Sequence, residues 1–132
     1  MDIFPILAII GQGIFGLYWI YNGVNHLAHH KMLAGYTQTK NVPMPLTAVI
    51  ITGLLLIGGG LSILTGWYLV YGLTAIVIFL LGVTFRMHDF WNEKDPNAKM
   101  MNMILFMRNI ALLGATLMMY YWEFDWPWTL EL

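Results

Sequence analysis

The sequence predicts an all-α integral membrane protein, a four-helix bundle forming a single domain over residues 1–132, and three observations predict it. Only 10% of the 132 residues are charged while 59% are hydrophobic, whereas a soluble domain keeps its surface wet with about a quarter charged residues. Apolar stretches free of formal charge recur at bilayer length, about 20 helical residues for a hydrocarbon core of about 30 Å. The basic residues, finally, all fall on one side of the layout those stretches define.

No Asp, Glu, Lys or Arg occurs from Ile3 to His30, which supplies a first span over 4–27. The loop that follows, "HHKMLAGYTQTKNVPMP", has room for a short interfacial helix that Pro43 and Pro45 would stop. No formal charge separates Lys40 from Arg86. That stretch is too long for one helix and fits two, at 46–65 and 67–86, joined by a tight turn near Gly66 and therefore antiparallel. A fourth span covers 100–122.

Four spans put both termini on one side and the loops around 29–45 and 88–99 on the other. All six basic residues (Lys31, Lys40, Arg86, Lys94, Lys99, Arg108) lie in or toward the loop side, while Asp2, Glu123, Asp125 and Glu131 mark the termini side. The positive-inside rule then predicts cytoplasmic loops and both termini outside. Trp67, Tyr68, Trp122, Trp126 and Trp128 fall at the outer boundary and Trp91 at the inner one, where amphipathic rings favour headgroups. Met1-Asp2 offers no basic segment of a secretory signal, so the first span is expected to be retained.

Composition also excludes. With no cysteine, the chain has no disulfide, no thiolate metal site and no thiol redox chemistry of its own. A net charge of −1 gives no field for nucleic acid. Gly58, Ser62 and Gly66 recur every four residues, a spacing that lets helix backbones approach; the seam could join two copies of the chain, and contact within one bundle is the favoured reading. Six of ten methionines lie between Met100 and Met119. Thioethers suit Cu(I), but these residues share no single face and read first as apolar filler.

Polar residues gather at the loop-side ends. "YNGVNHLAHH" closes span one with Asn22, Asn25, His26, His29 and His30, "FRMHDFW" closes span three with Arg86, His88 and Asp89, and span four carries Asn102, Arg108 and Asn109. Arg108 lies about 12–14 Å past Lys99 at about 1.5 Å per residue. An arginine facing lipid there would cost about 2.5–3.5 kcal/mol at mid-bilayer. Side chains tilt toward the helix N-terminus, so Arg108 leans back to the loop side while His26, Arg86 and His88 lean inward. The expected result is a ligand pocket of Arg86, His88, Asp89, Arg108 and Asn109 with His26 nearby, Asp89 serving as counter-ion. The competing reading makes the same groups a clasp between helices. A quinone head group, a small anion, or haem held by His26 and His88 would each suit such a pocket, haem ranking last. No other metal site is expected.

With these stretches, the chain resembles the DoxX family of small four-helix bacterial membrane proteins. The likeness runs from "YNGVNHLAHHKMLAGYTQTKNVPMP" through "LLLIGGGLSILTG" and "FRMHDFW" to "LFMRNIALLGATL", with the run Gly58-Gly59-Gly60 and Arg108-Asn109 before Gly114 its most telling features. Family members often carry a glutamate just before the glycine run; here Leu55-Leu56-Ile57 stands there, and no role of that acid carries over. The resemblance implies an accessory subunit of quinone-linked or other redox chemistry, with a redox-enzyme subunit as partner on the cytoplasmic side. No residue pattern identifies a reaction catalysed by the chain itself. The alternatives are a membrane scaffold or assembly protein without a small molecule and, behind it, a small-molecule carrier.

Overall fold

The computed structural model describes residues 2–131 and contains five α-helices: α1 (Phe4–Ala28), α2 (His30–Thr39), α3 (Pro45–Thr65), α4 (Leu69–Met87) and α5 (Pro96–Met119). The described elements are all helical, and four of the helices are long and apolar enough to cross a membrane. The side chain of Glu123, one of the acids assigned to the termini side, lies outside the described residues.

Local chemistry sets the boundaries. α1, α3 and α5 each begin with proline in the first turn, where the missing N–H costs nothing. The expected loop helix is α2; it ends at Thr39, and Asn41 and Met44 take positive φ (56° and 49°) before Pro45 starts α3. α3 stops at Gly66, whose φ of 74° suits a residue without Cβ. Tyr68 also turns left-handed, with φ 49°, so α4 starts at Leu69 rather than at residue 67. α5 starts at Pro96, four residues before the expected 100, because the Asp95 carboxylate accepts from Ala98 N at 2.9 Å and caps it. Its last turn tightens into a 3₁₀ helix, Tyr120–Asp125.

The long helices pack in the order α1, α3, α4, α5, each antiparallel to the next, with no comparable seam between α1 and α5 among the described residues. The α1–α3 seam is backbone against backbone. Gly16 faces Gly60 and Gly23 faces Gly53, and a Cβ at Gly23 would lie 2.6 Å from Gly53 O. Gly59 gives α4 the same access, with Gly72 O 3.0 Å from where its Cβ would be. The stripe Gly58, Ser62, Gly66 is therefore not one seam: Gly58 faces open space, Ser62 packs on Gly72, and Gly66 is the helix cap.

Trp19, Leu56, Ile63, Leu73, Ile76 and Leu80 form the centre of the core. Outside it the usual pattern inverts. The exposed surface carries large apolar side chains along every long helix, while the buried residues of α5 are Asn102, Asn109 and Thr116, two turns apart on one face. Apolar outside and polar inside is the arrangement a hydrocarbon solvent selects. At the termini-side end the last carbonyls of α3 are satisfied from elsewhere: Gln12 Nε2 and Trp126 Nε1 each donate to Ile63 O at 2.8 Å, and Leu130 N donates to Thr65 O at 2.8 Å.

Candidate functional site

A cavity of about 500 Å³ opens at the loop-side half of the bundle. α1 supplies Asn22 and His26, α4 supplies Arg86 with His88 just past its end, and α5 supplies Arg108 and Asn109. Trp19, Leu55, Ile78, Phe79 and Val83 make its apolar wall, and Leu33, Tyr36 and Thr37 of α2 cover one side. Of the six residues expected in a pocket, five line this cavity.

Asp89 is the exception. α4 ends at Met87 and the chain turns at His88, which swings the Asp89 carboxylate away to Lys40, 2.7 Å from its Nζ. Asn92 Nδ2 donates to the other carboxylate oxygen at 3.0 Å. The hydrogen bond to Asp89 holds the Lys40 ammonium above its ordinary pKa. This is the ion pair found among the described residues, so Asp89 is not the counter-ion of either arginine.

Neither arginine has a carboxylate partner among the described residues. Arg86 Nη2 donates to Asn41 O at 2.7 Å, which ties α4 to the loop after α2. Arg108 donates from Nε and Nη2 to Asn109 Oδ1, at 3.4 and 3.3 Å. Two cations thus face one enclosure from neighbouring antiparallel helices, a setting that favours a ligand rich in oxygen acceptors.

The histidines divide. His26 Nδ1 lies 3.1 Å from Thr52 Oγ1 and His88 Nδ1 lies 3.3 Å from Asn102 Oδ1. His29 and His30 turn instead to the carbonyls of Asn25 and Leu27, at 3.3 and 2.7 Å, and do not line the cavity. Asn102 stands behind His88 and reaches Glu93 Oε2 with its amide, 3.4 Å away. The pair suggested for haem, His26 and His88, shares the cavity. Among the described residues, no three His, Asp or Glu side chains come together to hold a metal ion.

Sequence reasoning did not identify Trp19, Phe79, Thr52 or the wall formed by α2. Phe79 meets both His26 and Trp19 edge-on, at centroid distances of 5.7 and 6.3 Å, and so closes the cavity toward the core. The Trp19 indole N–H is buried there without a partner among the described residues. One signal was available for the buried face of α5, the seven-residue recurrence of Asn102, Asn109 and Thr116.

Fold and cavity together define a class: a multi-pass α-helical membrane protein with a polar-headed, apolar-walled pocket at one end. Comparison of the chain with protein-family models, with curated proteins and with solved structures gives no match.

Proposed function

We propose that the protein is a membrane accessory subunit of quinone-linked redox chemistry, which holds the head group of a quinone-type lipid in this cavity. The observation that carries the reading is the convergence of Arg86, Arg108, His26, His88 and Asn109 on one enclosure whose remaining wall is apolar. A polar ring with an apolar tail needs that combination. The resemblance to the DoxX family supports the redox setting by analogy, and the basic loops support cytoplasmic placement of the pocket in a bacterial inner membrane. A soluble or peripheral redox partner would then meet the loop side, where α2 and the Lys40–Asp89 pair lie. Electron transfer would be the partner's task, because no side chain here is a redox group at ordinary potentials.

The test is an ultraviolet–visible spectrum of gently purified protein, oxidised and reduced, with its extracted lipid analysed for quinone. Quinone at about one per chain supports the reading. A Soret band would instead assign His26 and His88 to haem. A blank spectrum with no quinone would favour the second reading, a scaffold, for which the buried hydrogen bond between Asn102 of α5 and His88 at the end of α4 is the supporting observation. Carriage across the membrane has less support, since Gln12, the polar residue deepest in the other half of α1, spends its amide on three backbone carbonyls.

A further inference from the structure

The hydrogen bonds behind the two cavity histidines decide what each ring can offer a ligand. The Thr52 hydroxyl donates to Ala48 O at 2.8 Å, with Val49 O at 3.0 Å, so its oxygen has lone pairs left for His26 Nδ1. Asn102 points its amide nitrogen at the Glu93 carboxylate, which can only accept, and therefore its oxygen at His88 Nδ1. On these partners Nδ1 carries the proton in both rings, in His88 because the Glu93 carboxylate fixes the Asn102 amide and in His26 with the Thr52 hydroxyl turned to Ala48 O. In the neutral ring, Nε2 is then a bare acceptor. Neither Nε2 has a protein partner among the described residues, neither is sealed from open space, and both rings line the cavity.

The polar end of the cavity therefore pairs two acceptors with the donors of Arg86, Arg108 and Asn109. A head group with carbonyl oxygens alone would meet the histidines lone pair against lone pair. A hydroxyl satisfies both sets: its O–H donates to Nε2 while its oxygen accepts from a guanidinium or from Asn109 Nδ2. We propose that the cavity selects the hydroxyl-bearing, hydroquinone form of a quinone-type lipid over the oxidised dicarbonyl form. This rests on the reading that such a lipid is the ligand.

The experiment compares three probes that share one ring and tail on the whole protein in detergent, without oxygen and at about pH 8, where an ordinary imidazole is neutral. They are a decyl-tailed benzoquinone, its reduced hydroquinone, and the dimethyl ether of that hydroquinone, with quenching of tryptophan fluorescence as the readout. The hydroquinone is expected to bind about tenfold more tightly than either of the others, the worth of one to two hydrogen bonds. In His88→Phe that ratio should fall to about twofold or less. Equal binding of quinone and hydroquinone, or of hydroquinone and its ether, would overturn the selectivity while leaving the cavity as a quinone-type site. Binding of none of the three would overturn both. If His88→Phe does not fold, the wild-type ratio against the ether decides the matter alone.

Discussion

Arg108 sits on the exposed side of α5, yet its guanidinium bonds within the described protein only to the amide oxygen of the next residue. A salt clasp would have had an acid opposite it, and Asp89, the acid expected there, is engaged by Lys40. Arg108→Leu should therefore leave the protein inserted and abolish the melting shift that a decyl-tailed hydroquinone gives the wild type; an unchanged shift would remove Arg108 from the site. Asp89→Asn is the matching control. Its loss should cost at most about 1 kcal/mol, the range for partly exposed pairs, and leave ligand affinity within about twofold. Because the pair raises the Lys40 pKa, its contribution is present below the ordinary lysine value and lost as pH rises through the raised one. A melting curve of wild type against Asp89→Asn should converge at strongly alkaline pH. The site was legible in the sequence where chemistry and helix tilt act together, at His26, Arg86, His88, Arg108 and Asn109. It was not legible at Asp89, because one turn past a helix end reverses a side chain's direction and no periodicity extends through the turn.

At the scale of elements, the glycines carry the clearest contrast. A Cβ at Gly23 would press on Gly53 O and on Ile57 N at 2.6 and 2.8 Å, and backbone cannot swing aside as a side chain would. Gly23→Ala should therefore cost about 1–3 kcal/mol, as overpacking does. Gly58 has nothing within 4 Å, and Gly58→Ala should be neutral or gain up to about 1 kcal/mol from helix propensity. Thermal unfolding of both variants in the same detergent reads the difference, and equal losses would mean that the α1–α3 seam is not a backbone contact. Three of the four long helices could be read from charge-free length, and the fourth from an apolar run interrupted by Arg108. Which glycines form the seams could not, because facing depends on the partner: Gly53 and Gly60 match Gly23 and Gly16 two turns apart on both helices, whereas a four-residue repeat within α3 picked Gly58. The start of α5 was misplaced for a related reason. Lys99 and Asp95 look like loop charges in a hydropathy reading, although Asp95-Pro96 is a helix-starting pair.

The whole molecule is apolar on its flanks and around its central core, with its buried polar groups gathered along α5 and in the cavity, so its surface is specified by lipid and its ends by water. The loop-side end holds α2, Lys40, Glu93 and Lys94, and the other end holds the tail that returns over α3, where Trp67 Nε1 donates to Leu130 O at 2.7 Å. The proposed cytoplasmic placement of the basic end rests on the positive-inside rule, by which a loop rich in Lys and Arg resists translocation. The chain has no cysteine, so a single introduced thiol reports its side without background. Gln38, Lys94 and Asp125 are exposed, and the first two lie at the end opposite the third. In intact spheroplasts, a membrane-impermeant maleimide should label Asp125→Cys and leave Gln38→Cys and Lys94→Cys unmodified until the membrane is opened. The reverse pattern would put the cavity on the outer face. A cytoplasmic redox partner could not then reach the α2 end, and the proposed subunit role would fall even if the cavity still bound its lipid.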